Sequence, residues 1–175
     1  MTDAGGASIH ASAVLVGNRA VLIRGPSGSG KSRLAFDLIL AGRCGQIAPA
    51  TLIGDDRVHL EARQGQLIVE PARALAGLIE IRGLGIRRCD FVKEAVVGLL
   101  VDLDAPDAAR LPPPQAFTAQ LSGIIIPRIP VGSGDDARLL VIAALTMAAN
   151  SSLTQPSVDC SKGIGNHITP TIATE

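Results

Sequence analysis

The stretch Gly25-Pro26-Ser27-Gly28-Ser29-Gly30-Lys31-Ser32 constrains this chain more than any other. It satisfies every fixed position of the phosphate-binding loop pattern G-x-x-x-x-G-K-S/T. That pattern needs a strand before it and a helix after it, and both flanks agree. Ala20-Val21-Leu22-Ile23 is a short apolar run suited to a buried strand. Leu34, Ala35, Phe36, Leu38, Ile39, Leu40 and Ala41 suit a helix that ends at Gly42. The glycines let backbone N–H groups turn inward and approach phosphate oxygens closely. The helix N-terminus adds about half a positive charge facing the same anion. Lys31 is then expected at the β- and γ-phosphates of a nucleotide, and the Ser32 hydroxyl at a Mg²⁺ position.

Composition narrows the partners. A chain of 175 residues, 47% hydrophobic and 18% charged, can bury a real core. That core is aliphatic, because there are three Phe and no Trp or Tyr. The lack of aromatic stacking platforms and a formal net charge of +0 argue against nucleic acid and against an anionic membrane surface. The longest apolar stretch, Leu139 to Ala149, is too short to span a bilayer. No basic-then-apolar leader is visible at the N-terminus, and Cys44, Cys89 and Cys160 form no C-x-x-C pair. A cytoplasmic protein with reduced thiols is the expectation.

Residues 1–7 read as a loose arm. Ile9 to Val16 and Arg19 to Arg24 are strand-like runs around Gly17-Asn18, a hairpin signal, so the loop-bearing strand has an antiparallel neighbour. Thr51-Leu52-Ile53-Gly54 runs into Asp55-Asp56, an apolar strand ending in acid where a carboxylate can serve Mg²⁺. Adjacent aspartates on an extended strand point to opposite faces and can hold different jobs. A second hairpin is expected around Gln64-Gly65, a strand with Glu80 from Gly77 to Ile81, and a buried strand from Ala95 to Val101. Asp104 to Gln115 reads as an exposed linker. Pro127 and Pro130 mark the strand Ile124–Val131 as an edge. Asp135 caps a last helix reaching about Ala149. The expected domain is 1–150, followed by a poorly ordered tail, 151–175.

In this order these features resemble the catalytic domain of HPr kinase/phosphorylase. Four blocks carry the resemblance: Ile9-His10, the core of the phosphate loop from Ser27 to Ser32, Leu52-Ile53-Gly54-Asp55-Asp56, and Glu80-Ile81-Arg82-Gly83-Leu84-Gly85-Ile86. The last matches the family signature E-I/L-R-G-L/M-G-I and separates this family from other phosphate-loop proteins. The resemblance implies an α/β fold of the HPr kinase and phosphoenolpyruvate carboxykinase type, a mixed sheet with flanking helices. It implies ATP and Mg²⁺ as cofactors, an HPr-like phosphocarrier of the phosphotransferase system as partner, and a homo-oligomer, a hexamer in the family. Residue by residue, it implies that Gly25, Pro26, Ser27, Gly28, Ser29, Gly30, Lys31 and Ser32 bind ATP and that Lys31 neutralises the transferring phosphoryl group. Asp56 implies the proton acceptor for the carrier serine, and His10 the group that adjusts the charge of Asp56. Ser32 and Glu80 become Mg²⁺ ligands, with Asp55 as an additional one.

The chain departs from the family pattern at three places. It resembles the short form, the catalytic domain without the additional N-terminal domain. Arg33 stands where the family usually has Glu. The P-G-R-N loop, whose arginine serves the phosphorylase half-reaction, is replaced by Gly132-Ser133-Gly134-Asp135-Asp136-Ala137-Arg138. A gapped alignment puts Arg138 in the arginine's place, and an ungapped one puts Asp135 there. The expectation is therefore a serine kinase with weak or absent phosphorylase activity. A nucleotide-sensing regulatory module that transfers nothing is the alternative, and it draws on the same missing arginine loop.

Overall fold

Residues 7–147 are described by the computed structural model. The arm before them and the tail after them, including the last residues expected of the C-terminal helix, lie outside the described residues. The chain order is β1 (Ala7–Ile9), β2 (Ser12–Val16), β3 (Arg19–Arg24), α1 (Lys31–Arg43), β4 (Ala50–Gly54), β5 (Val58–Arg63) and β6 (Gln66–Pro71). There follow β7 (Leu78–Ile81), β8 (Gly85–Arg88), β9 (Ala95–Leu103), β10 (Thr118–Leu121), β11 (Ile124–Val131) and α2 (Ala137–Thr146).

Among the described residues nine strands form one mixed sheet, in the order β1-β5-β6-β9-β3-β2-β4, with β11 also on β9 and β10 on β11. The loop-bearing strand β3 lies between β2, antiparallel as the Gly17-Asn18 turn requires, and β9, parallel. Strand β9 is the hub. Its first residues pair with β6, and its later residues pair with β3 on one side and β11 on the other. Strands β7 and β8 form a separate hairpin from the Glu80–Ile86 signature.

Side-chain alternation divides the core. Val14, Val21, Ile23, Leu52 and Val101 face one side, where α1 and α2 cover them through Leu34, Leu38 and Val141. Ala13, Ala20, Leu22, Ile53 and Leu100 face the other, where Val58, Leu60, Leu67 and Val69 of the β5–β6 hairpin close the layer without a helix. Both helices thus pack on one face of the sheet.

Several local expectations are revised. Ile9 to Val16 is two strands, because the chain bends at His10. Helix α1 runs through Gly42 to Arg43. Gly42 is needed for close approach: an added Cβ would lie 2.6 Å from the Ala50 nitrogen and 2.8 Å from its Cβ. Strand β11 is the expected edge, though with two successive neighbours. Its first half pairs with β10 and its second with β9, so it has one partner at a time, which leaves room for donor-less Pro127 and Pro130. The linker after Asp104 is tied down, with Ala105 buried and Asp107 bound to Arg128. The cap of α2 is Asp136, which accepts a hydrogen bond from the Leu139 N–H at 3.1 Å; Asp135 instead accepts from the Gly132 N–H at 3.1 Å. No helix among the described residues is long and apolar enough to cross a membrane.

Candidate active site

The phosphate loop leaves β3 at Gly25 and enters α1 at Lys31. Gly28 and Gly30 hold φ values of 82° and 97°, which glycine adopts at no steric cost. A Cβ at either would meet no heavy atom within 4 Å, and both glycines border open cleft space. Gly25 has the opposite constraint: a Cβ there would lie 2.6 Å from the Ser29 hydroxyl and 2.9 Å from the Leu103 Cβ. Lys31, 6% exposed as a residue, folds its ammonium back to donate to the carbonyls of Gly25 at 3.0 Å and Pro26 at 2.8 Å. A buried cation held only by neutral carbonyls, beside a helix N-terminus and an open cradle, fits an anion of phosphate size.

The loop forms the floor of a cleft of about 800 Å³ whose wall includes His10, Ser32, Asp56, Glu80, Arg82 and Arg138. These come from five separate stretches of chain, with Glu80 and Arg82 on the same one. His10 Nε2 lies 3.1 Å from Asp56 Oδ1, with both side chains open to solvent. Asp56 sits in the turn after β4 with φ 66°, a left-handed conformation that aspartate tolerates better than most residues. That turn, and not strand alternation, sends the two aspartates apart. Asp55 stays buried at 3% exposure. Its carboxylate accepts from the Ser12 hydroxyl at 2.5 Å and from the Glu80 N–H at 3.1 Å. Asp55 is not part of the cleft wall, so the expectation of an additional Mg²⁺ ligand there meets a carboxylate with both oxygens already engaged.

Glu80 is exposed on β7, and Ser32 is the second residue of α1. Gly134 to Arg138 supply the opposite wall, so Asp135 and Arg138, the two alternatives for the missing arginine, both border the cleft. The Arg138 guanidinium donates to Gln46 Oε1 at 3.0 Å. Of the arginines flanking the signature, Arg82 borders the cleft, while Arg87 and Arg88 lie along exposed β8.

The family model "HPr Serine kinase C-terminal domain" matches residues 4–161. The chain belongs to this family. It is 32% identical over 151 residues to the HPr kinase/phosphorylase of Limosilactobacillus reuteri (strain DSM 20016), covering 78% of this chain and 45% of that protein. Over 179 residues it is 32% identical to the HPr kinase/phosphorylase of Streptococcus pneumoniae (strain Hungary19A-6), covering 95% of this chain and 54% of that protein. It spans about half the length of the curated relatives it matches. The solved Hpr(Ser) kinase/phosphatase of Coxiella burnetii superposes with a TM-score of 0.64 at 28% identity, covering 78% of this chain and 92% of that one. The HPr kinase fold expected from the four blocks is thereby established.

Within this family domain, one charged cluster was not legible beforehand. Asp102 near the end of β9 accepts from Arg24 Nε at 2.7 Å and Nη2 at 2.8 Å, and from Arg128 Nε at 2.6 Å. Arg128 continues to Asp107 at 2.6 Å. Burial pushes the Asp102 carboxyl up, but the hydrogen bonds from Arg24 and Arg128 outweigh it and hold the group below the usual aspartate value. The run Leu99-Leu100-Val101-Asp102 has the same apolar-then-acid form as Leu52 to Asp55, which was the only available signal. Arg24 directly precedes the phosphate loop, so the cluster fixes the strand ends from which the loop springs.

Proposed function

We propose that this domain is an ATP- and Mg²⁺-dependent protein-serine kinase acting on HPr or an HPr-like phosphocarrier of the phosphotransferase system. One observation carries the reading: Lys31 and Ser32 of the phosphate loop share a cleft with His10 from the bend before β2, Asp56 from the turn after β4 and Glu80 from β7. Membership of the HPr serine kinase C-terminal domain family supports the choice of substrate.

The residues fit a magnesium nucleotide. Ser32 and Glu80 offer hard oxygen donors beside the cradle, and Mg²⁺ takes one or two protein oxygens plus phosphates. When bound there, the ion neutralises charge on the β- and γ-phosphates. Lys31 exchanges its loop carbonyls for the phosphates and stabilises charge as the γ-phosphoryl moves. Asp56 accepts the proton of the carrier serine hydroxyl while the serine oxygen bonds to the γ-phosphorus and the bond to ADP breaks. His10, 3.1 Å from Asp56, holds that carboxylate toward the incoming hydroxyl. The exposed Asp135 and Asp136 in the Gly132–Arg138 wall disfavour a free phosphate anion there, which supports a weak phosphorylase direction.

The test is transfer from γ-labelled ATP with Mg²⁺ to HPr-type carriers, with Lys31→Ala as control. Label on a single carrier serine, lost in Lys31→Ala, is the expected result. Nucleotide binding without label on any carrier overturns the kinase reading in favour of a nucleotide-sensing module.

A further inference from the structure

Among the described residues, Asp55 is a deeply buried carboxylate behind the cleft that the proposed reaction leaves without a part. Burying a carboxylate is costly unless its oxygens are met by donors. Here they are met from two other strands: the Ser12 hydroxyl, fully buried on β2, donates at 2.5 Å, and the Glu80 backbone N–H on β7 donates at 3.1 Å. The first distance is in the range of charge-assisted O–H···O⁻ bonds, among the stronger neutral-to-charge contacts.

What those two donors are attached to gives the arrangement its meaning. Ser12 opens β2 two residues after His10. Glu80 is itself a cleft residue, and the bond takes its main chain, leaving its side chain facing the cleft. Asp55 is followed directly by Asp56, whose left-handed turn starts from the fixed carboxylate. The β7–β8 hairpin that carries Glu80 belongs to a separate small sheet and shares no strand pairing with the main one. Its main-chain link to the Asp55 side chain is therefore a direct tie between the signature hairpin and the sheet. Gly77 helps at the hairpin's base, where an added Cβ would lie 2.9 Å from the Phe91 ring.

We propose that Asp55 is a positioning residue: through Ser12 and the Glu80 N–H it sets His10, Asp56 and Glu80 at their places around the cleft. It is a buried three-strand tie and no ligand of the cation. This rests on the kinase reading for its kinetic consequence but not for its structural one. The chemistry is specific in that one side chain orients three cleft residues without entering the cleft. Ser12, remote from any substrate, becomes a residue whose hydroxyl matters to the reaction.

The test uses Ser12→Ala, Asp55→Asn and the double variant, each compared with the parent chain. Three quantities are measured: amide hydrogen exchange over Leu78–Ile86, Mg²⁺·ATP affinity by calorimetry, and steady-state phosphoryl transfer to the carrier. Both single variants are expected to speed exchange at Glu80 and along β7 by about tenfold while α1 stays protected. Mg²⁺·ATP affinity falls by no more than about threefold and alike in both single variants, because Glu80 is loosened and not removed, while kcat falls about tenfold. The double variant is no worse than the more severe single one, because both remove the same tie.

Two results overturn the proposal. If Asp55→Asn weakens Mg²⁺·ATP binding about tenfold or more while Ser12→Ala binds normally, Asp55 is a cation ligand. If exchange along β7 is unchanged in both single variants, the tie positions nothing. Absence of transfer in the parent chain counts against the kinase reading alone, since exchange and affinity still decide the role of Asp55. Ser12→Ala keeps the question open to decision should Asp55→Asn fold poorly.

Discussion

Removing the Asp102 carboxylate should weaken the domain more than removing any exposed acid. Asp102 is 13% exposed and receives three hydrogen bonds, two from Arg24 and one from Arg128. Asp102→Ala leaves the Arg128 guanidinium, 12% exposed, with only the exposed Asp107 carboxylate and the Ala116 carbonyl, so the cost sits at the low end of the range for a buried pair. Breaking a buried pair costs about 3–5 kcal/mol. The Arg24 arm is 34% exposed and is screened by solvent, so its share drops toward that of a surface pair. A net loss of about 3 kcal/mol follows, which for a chain of this size lowers Tm by roughly 6–12 °C. The pH dependence has a definite sign. The folded Asp102 carboxyl lies below its ordinary value, so its stabilisation is complete above that value and is lost as pH falls through the lower folded one. The Tm gap between the parent and Asp102→Asn should therefore be full at neutral pH and narrow below about pH 4. Scanning calorimetry across that range reads both effects. A fall of less than about 2 °C at neutral pH, the size expected of one exposed pair, would show that Asp102 contributes no more than a surface carboxylate.

Three other outcomes follow from the geometry. Gly42→Ala forces a Cβ against Ala50 and should cost about 1–3 kcal/mol in urea unfolding, whereas a neutral result would show that α1 can shift off β4. Asp136→Ala removes the α2 cap and should cost about 1 kcal/mol, with faster amide exchange at Leu139; unchanged exchange would place the cap elsewhere. His10→Ala should lower kcat for carrier phosphorylation about tenfold with KM for ATP little moved, and a KM effect alone would assign His10 to nucleotide binding.

The parts of the fold legible in the sequence were those fixed by neighbours along the chain. The phosphate loop, the Gly17-Asn18 and Gln64-Gly65 hairpins and the helix after Lys31 all depend on residues within a few positions of one another. Two local signals misled. Asp135 and Asp136 are equally good caps on paper, and only the turn closed by the Gly132 N–H decides between them. Asp55 and Asp56 do separate, but through a positive φ that no alternation rule contains. What stayed hidden was long-range. Ser12 meets Asp55 across 43 positions, and Arg24 meets Asp102 across 78. A serine within an apolar strand carries no mark of its buried partner. Proline spacing likewise could not reveal that β11 changes partners midway.

We propose that one cleft both binds the nucleotide and delivers its phosphoryl group to a protein serine, with Asp56 serving only the second task. Calorimetric Mg²⁺·ATP binding and carrier phosphorylation, measured side by side for Asp56→Asn, separate these. Affinity is expected within about twofold of the parent, and transfer reduced by a factor of about 10²–10⁴. Undiminished transfer, or transfer lost only in proportion to lost nucleotide affinity, contradicts it.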